Sequence, residues 1–474
     1  MAGIQYAGEY EVEEVRLFSS SGNIIPLNGL MMQLTLFENI FSPTMSGTIT
    51  LLDTNSIVLN LPIIGQEYLS FKIKTASLGS EERGIIDYTE NVFSIYKIDT
   101  RIMADKTEAI VLHFTSSEMM RNSRTRVSKS YTNSIDKIVT DVLQNERYLN
   151  SKKDLFIEET VGVRKMVAPN NQPFTFVQKL ASEAISTESG SPYFMFYENK
   201  DGIHFRSLDS LYAQPVSAEY NTGQFFHQES SGTVVKNILD EYSRPISHQI
   251  VQSNDMLSNV RGGLLGSNLI TYDIFKKSYN KRTFRYFENF PDYSRLSDNP
   301  IYNTNAIDEF GNTVDNFTNA NIHLHPTSKV GENDAQSYSR LTYRLTNPYS
   351  PNRIENSLLH RQAKLLELKK GVSLVVEAHG MTNMAIGQII DFEMLVVGQT
   401  HGKSKADPYY SGKYLITTLK HQFDEAPQRK HSIYMTIIKD GYSEELEQNT
   451  NAEEPKRLFA NRISMMPGRR PSRL

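Results

Sequence analysis

Asn91-Val-Phe-Ser-Ile-Tyr-Lys-Ile98 has an echo far down the chain in Lys413-Tyr-Leu-Ile-Thr-Thr-Leu-Lys420. At one fixed offset Phe93, Ile95, Ile98 and Ile102 fall on Tyr414, Ile416, Leu419 and Phe423. After a two-residue slip Ile110, Leu112 and Phe114 fall on Ile433, Met435 and Ile437. Alternating apolar residues are the mark of a half-buried strand. Each pair of segments therefore reads as an amphipathic hairpin behind a Gly-containing, β-rich stretch. Two readings stand. Any two amphipathic hairpins align in this way, or one β-module occurs twice. In the second case three chains would present six equivalent modules on a ring.

Working outward from the first hairpin, residues 1–115 read as β throughout. In Met31 to Phe37, Met32, Leu34 and Leu36 point one way and Gln33 and Thr35 the other. Gly47-Thr-Ile-Thr-Leu-Leu, Tyr68 to Ile73 and Ile110-Val-Leu-His-Phe-Thr continue the pattern between Gly, Pro and Asn breaks. Several short strands with little helical signal predict a small barrel or sandwich.

The character changes near Ser116. Ile135, Ile138, Val139, Val142 and Leu143 share one helical face, with Ser130 or Thr132 as the cap. Pro173 opens a second helix whose inward residues are Phe174, Val177, Leu180, Ala181 and Ala184. Tyr193-Phe-Met-Phe-Tyr and Ile203-His-Phe-Arg-Ser-Leu form a hairpin around Asp201-Gly202. Residues 116–215 make an α+β unit.

Strand character returns over 216–258, through Asn237-Ile-Leu-Asp-Glu-Tyr-Ser. Residues 259–355, rich in Asn, Asp and Ser, read as an irregular insertion. Its scattered Tyr and Phe argue against plain disorder, so it packs on something, a partner chain included. A helix runs from Arg353 to about Leu368, with Ile354, Leu358, Leu365 and Leu366 in one stripe and Gly371 just past its end. Strands at Val372 to His379, Lys413 to Lys420 and Ser432 to Ile438 complete a second β-domain made of 216–258 and 356–445. Residues 446–474 form a C-terminal tail, basic from Pro455 onward with Lys456, Arg457, Arg462, Arg469, Arg470 and Arg473. It is a solvated terminus or an arm for an acidic partner, and Pro467-Gly468 and Pro471 would keep it extended.

Composition narrows the function. The 474 residues and 54.0 kDa suit about three domains. Fifty Lys+Arg against 54 Asp+Glu give a net charge of −4, unlike the strongly basic surface of a nucleic-acid binder. No run approaches the ~18 apolar residues of a membrane span, and the start of the chain does not read as a secretory signal. With 0 Cys there are no disulfides, thiolate nucleophiles or Cys-bound zinc. With 0 Trp, aromatic burial rests on 25 Tyr and 23 Phe.

Catalytic patterns are missing. There is no phosphate-binding Gly-Lys loop, dinucleotide fingerprint, zinc-protease helix or nucleophile elbow. Gly262-Gly263-Leu-Leu-Gly266 lacks a lysine and reads as a mobile loop. His323-Leu-His325, with His360 or His379, could ligate a metal, but an exposed histidine pair beside Pro326 is the favoured reading. Asp87, Glu90 and Asp99, and the Glu158-Glu159 pair, sit on polar segments without the apolar cleft a general acid needs. The sequence supplies no catalytic, cofactor-binding or metal residue and implies no cofactor.

Three segments carry a resemblance. Gln172-Pro-Phe-Thr-Phe-Val-Gln-Lys-Leu-Ala-Ser-Glu-Ala, followed by Ser191-Pro-Tyr-Phe-Met-Phe-Tyr-Glu-Asn, resembles the helix-then-aromatic-hairpin of the baseplate central hub proteins of contractile-tailed phages. Leu358 to Gly371, leading into Leu374-Val-Val-Glu-Ala-His-Gly and Ile386-Gly-Gln-Ile-Ile, resembles the helix and strands that open that family's closing barrel. Gly412-Lys-Tyr-Leu-Ile-Thr-Thr-Leu-Lys-His resembles one of its strands. The hub portion of type VI secretion spike proteins is similar as well. The resemblance covers most of 8–258 and 356–445. It departs in the length of 259–355 and in the lack of a needle or lysozyme after the hub region.

The resemblance implies a mainly β fold, with two tube-like β-barrel domains, a small α+β domain and the insertion. It implies a homotrimeric hub that adapts a sixfold tail tube to a threefold central spike, the spike being a separate chain. Tail tube, spike, baseplate wedge and tape measure proteins would be its partners, and DNA would pass its channel without sequence-specific binding. The site of action would be the virion tail, assembled in the host cytoplasm. The competing readings are a tail-associated cell-wall hydrolase with its acids in the insertion, and a membrane- or nucleic-acid-binding module using the basic tail.

Overall fold

The computed structural model describes residues 6–53, 63–75, 84–104, 107–222, 241–252, 254–273, 277–292, 294–303, 313–326, 354–396, 406–426 and 428–446. The basic tail and the expected strand residues 237–240 lie outside these, while Glu241 and Tyr242 are helical rather than extended.

The first region is β1 (Tyr10–Phe18), β2 (Ile24–Pro26), β3 (Met31–Asn39), β4 (Ser46–Asp53), β5 (Tyr68–Thr75), β6 (Ile85–Asp87), β7 (Phe93–Ala104) and β8 (Thr107–Ser116). Period-2 alternation buries Leu34, Leu36, Ile49, Leu51, Leu69, Phe71, Ile73, Phe93, Ile95, Ile110, Leu112 and Phe114 in one core. Each such side chain contributes roughly 1.5–3 kcal/mol on leaving water. Met32 departs from its expected inward position. The register slips between Met31 and Gln33, so Met31 is buried and Met32 is exposed.

Next come α1 (Ser117–Arg124), β9 (Ser130–Asn133), α2 (Ile135–Gln144), β10 (Leu155–Ile157), β11 (Arg164–Val167), α3 (Pro173–Glu183), β12 (Phe194–Asn199), β13 (Gly202–Ser207) and α4 (Leu208–Tyr212). The predicted faces of α2 and α3 are buried together, with Phe176 as well, and Pro173 opens α3. The expected caps Ser130 and Thr132 lie in β9 instead, and Ser134 precedes α2 without a side-chain cap bond. β12 is buried along its whole length because it feeds two cores. Phe194 and Phe196 face α2 and α3, while Met195 and Tyr197 face the C-terminal half of the chain.

The remainder comprises β14 (Val216–Asn221), β15 (Pro245–Gln252), α5 (Met256–Gly262), β16 (Gly266–Asp273), β17 (Ser278–Arg285), α6 (Tyr286–Asn289), β18 (Ile322–Pro326), α7 (Ile354–Lys370), β19 (Val372–His379), β20 (Ile389–Glu393), β21 (Gly412–Asp424) and β22 (Lys430–Lys439). The segment expected to be irregular builds a three-stranded sheet, ordered β17-β16-β18. Its strands escaped the sequence reading because β17 exposes residues on both faces and has no period of 2. It shares a core with the C-terminal strands, through Leu264, Leu265, Leu269, Phe284, Tyr286, Ile301 and Tyr302. On α7 the expected stripe Ile354, Leu358, Leu365 and Leu366 is only half-buried. Leu359, Ala363 and Leu368 go deeper, alongside Lys364 and Glu367.

The chain is mainly β, and one sheet runs through both ends of it. Fourteen strands belong to it, in the order β15-β19-β22-β21-β3-β4-β8-β7-β5-β1-β2, with β20 and β14 branching from β21 and β6 from β5. The joint is β3 against β21, from Thr418 opposite Asn39 to Asp424 opposite Gln33. The two hairpins that echo each other share their register. Ile95 faces Phe114 and Ile98 faces Leu112 across β7 and β8; Ile416 faces Ile437 and Leu419 faces Met435 across β21 and β22. A register slip follows Ile95 in one hairpin and Ile416 in the other. β7 has a second slip, between Asp99 and Arg101, that β21 does not repeat.

A polar sheet face and two buried ionic joints

The face of the long sheet opposite its core is mostly polar across the β3–β21 joint, with Phe37 exposed among the polar side chains. Thr418 donates to Thr436 at 2.7 Å, Gln33 and Gln422 donate to the Asp424 carboxylate at 2.6 and 2.9 Å, and Lys420 lies 4.8 Å from the centroid of the Tyr434 ring. Tyr434 and Ser247 both donate to Glu377, at 3.1 and 3.0 Å. Toward the other end Lys72 pairs with Glu13 and Asp87, Lys74 with Glu11 and Glu13, and Lys97 with Asp99. The Lys74 bond holds the Glu13 carboxyl below its usual value. Among these named side chains the acids outnumber the bases. Cross-strand pairs of this kind stiffen a sheet by roughly 0.2–1 kcal/mol each and leave a hydroxyl-, amide- and carboxylate-lined surface.

Beneath that face, charge is buried at the seams. Lys153 Nζ lies 2.8 Å from Glu118 and 2.5 Å from Glu198. Glu198 also accepts from the Met45 amide at 3.2 Å and the Ser116 hydroxyl at 2.7 Å, tying β12 to the first region. Burial opposes the Lys153 charge, but Glu198 and Glu118 outweigh it and hold the ammonium above its ordinary value. A second set joins Arg295 to Glu367 at 2.9 Å and Lys364 to Glu367 and Asp440 at 3.0 and 3.5 Å. Asp440 accepts from the amides of Leu296 and Ser297, so this set fastens the segment before residue 303 to the end of β22.

A third seam centres on Glu38. Its two oxygens accept from the amides of Lys200 at 3.1 Å and Ile386 at 3.0 Å, which belong to different parts of the chain. The sequence reading passed over these residues. For Glu38 a signal was present, since it continues the core-facing parity of Leu34 and Leu36 on β3. Nothing comparable marks Lys153.

The residues singled out from sequence are dispersed. Asp87 binds the Thr89 amide and hydroxyl as well as Lys72, and Asp99 contacts His113 at 3.3 Å besides Lys97. Glu158 accepts from the Ser207 amide and hydroxyl at 2.7 and 2.9 Å, one residue before α4. Gly263 caps α5 at φ +82°, the left-handed conformation that favours glycine there, so the glycine pair ends a helix. His323 and His325 share one half-buried face of β18. His360 meets Phe284 edge-on, and His379 stands against Tyr242. Among the described residues no three histidine or acidic side chains converge as metal ligands would, and no helix is long and apolar enough to cross a membrane.

No protein-family model matches the chain. It is 20% identical over 436 residues to the probable baseplate hub protein gp334 of Vibrio phage KVP40, with 89% of each chain covered. The 43 kDa tail protein of prophage MuSo2 from Shewanella oneidensis covers 92% of this chain and 100% of its own, with a TM-score of 0.50 and 8% identity. The tail protein of Neisseria meningitidis MC58 covers 92% and 99%, with a TM-score of 0.48 and 9% identity. The chain is thus similar along nearly nine-tenths of both molecules to a phage baseplate hub protein, and it shares the fold of a prophage tail protein.

Proposed function

We propose that this chain is the structural, non-enzymatic hub of a phage tail baseplate, acting as a homotrimer. Three chains close a ring whose channel continues the tail tube above and meets the central spike below. The observation that carries this reading is the pair of hairpins with matching register and a matching first slip, in one sheet with β3 and β4 between them. Two such units per chain give a trimer sixfold character on the tube side, which is what an adaptor from six to three requires. The relative from Vibrio phage KVP40 supports the assignment to the baseplate hub and hence to the virion tail.

The polar face suits a channel wall. A surface of hydroxyls, amides and paired charges in which acids exceed bases lets a polyanion slide without holding its phosphates. The free end of the sheet suits contact between subunits. Among the described residues β15 pairs only with β19, carries no charged residue, and exposes Ile246, Ile250 and Val251. A long uncharged edge is a template for another chain's strand. Tube, spike, wedge and tape measure proteins are the partners this placement implies.

The test is the solution mass by light scattering. Three copies of 54.0 kDa give about 162 kDa. A single-chain mass at micromolar and higher concentrations, alone and with the spike protein, would overturn the reading.

A further inference from the structure

The sheet β17-β16-β18 has one face on the core and one toward water. Leu269 of β16 and Phe284 of β17 are buried in the core shared with the C-terminal strands. The outer face of such a sheet is ordinarily polar. Here β18 is turned inside out. Ile322 and Leu324 are 48% and 64% exposed, while His323 and His325 are half-buried. The register sets more apolar groups beside them. Leu324 stands opposite Ile270, and Ile270 opposite Lys281. Two residues further along, Tyr272 stands opposite Tyr279, and these are 38% and 75% exposed. Opposed residues on neighbouring strands share a face, so all six side chains lie on the outer one.

Single exposed apolar side chains are common on any protein surface, but four on one side of a small sheet mark a docking surface. Charge and residue type select its partner. None of the six side chains is acidic, and the neighbouring bases Lys277 and Arg282 are exposed, as Lys281 is. Arg285, next along the strand, already pairs with Glu288. The cation set among the aliphatic groups and phenols is a lysine, a residue depleted in protein–protein interfaces. At a lipid surface the same residue lays its stem along apolar groups and keeps its ammonium in the phosphate layer. Phenol rings favour the headgroup level, and an anionic leaflet attracts each nearby lysine or arginine.

We propose that the outer face of the β17-β16-β18 sheet docks on an anionic lipid surface. Ile322 and Leu324 enter the acyl boundary, Tyr272 and Tyr279 lie among the headgroups, and Lys281 meets the phosphates with Lys277 and Arg282 at the rim. The contact is interfacial, as for other faces that join apolar and basic side chains. The sheet lies within 259–355, where the resemblance to hub proteins departs. The docking face is therefore an addition to the hub, and its failure and the failure of the ring are separate results.

Flotation of the full chain with vesicles tests it, using phosphatidylcholine alone and phosphatidylcholine with one third phosphatidylglycerol. At about 0.1 M salt, where the Debye length is about 10 Å, binding to the anionic vesicles should exceed binding to the neutral ones at least tenfold. Tyr279→Ser with Leu324→Ser changes two exposed positions and should lower anionic-vesicle binding at least tenfold, and Lys281→Glu at least threefold. A chain ending at Glu454, without the basic tail, should bind within threefold of the wild type. The chain has 0 Trp, so Tyr279→Trp supplies a sole reporter whose emission should shift to the blue when anionic vesicles are added. No flotation with anionic vesicles, equal binding by the double serine variant, or loss of binding on removal of the tail would overturn the proposal. So would a tryptophan already blue-shifted without lipid, which would mean that protein covers this face.

Discussion

At the scale of single residues the fold is pinned by charges that are almost wholly buried. Lys153 is the clearest case, since its removal strands both Glu118 and Glu198. Lys153→Met should cost about 3–5 kcal/mol, the range for breaking a buried ion pair from one side. Urea unfolding followed by tyrosine fluorescence measures this, and a shift under 1 kcal/mol would mean the carboxylates find other partners. Converting Glu118 and Glu198 to Gln in the same chain should recover much of the loss. These residues were hard to read in the sequence. Polar groups at core positions are recognisable only where a strand's parity is secure, as for Glu38 behind Leu34 and Leu36. Lys153 lies between elements, in Ser-Lys-Lys-Asp, where a buried and a solvated lysine look alike.

At the scale of elements, legibility followed periodicity. β4, β5, β8, α2, α3, β19 and β22 stand where alternation or a helical stripe put them, within two or three residues at their ends. The losses have physical reasons. The slip at Met31–Gln33 turned Met32 outward, β17 buries Phe284 alone among its residues, and α7 buries two charged residues under its apolar stripe. The echo between Asn91–Ile98 and Lys413–Lys420 proved informative because the two hairpins also match in pairing and in the first slip. β15 gives the prediction at this scale. Ile250→Lys with Val251→Lys places two like charges on the free edge, which blocks strand addition without touching a core. The variant should keep the wild-type circular dichroism spectrum and remain near 54.0 kDa by light scattering under conditions where the wild-type chain assembles. Unimpaired assembly would put the subunit contact elsewhere.

At the scale of the molecule, the joining of the two β-regions was not readable from sequence. The sequence placed two β-modules around an α+β unit and carried no sign of how they meet. In the structure β21 pairs with β3 of the first region, and Phe423 reaches into that region's core. A joint made by backbone ladder and shared core fixes how the two hairpins face each other, whereas a linker would leave that free. The Glu38 junction and the buried sets at Lys153 and Asp440 then bind the remaining segments to this sheet. On the proposed function, this pair of hairpins is one third of a ring. Negative-stain electron microscopy of the purified wild-type chain tests it most directly. Closed rings with threefold symmetry, six lobes and an open centre are the predicted result; compact particles without a central opening, at concentrations where the mass is that of three chains, would contradict it.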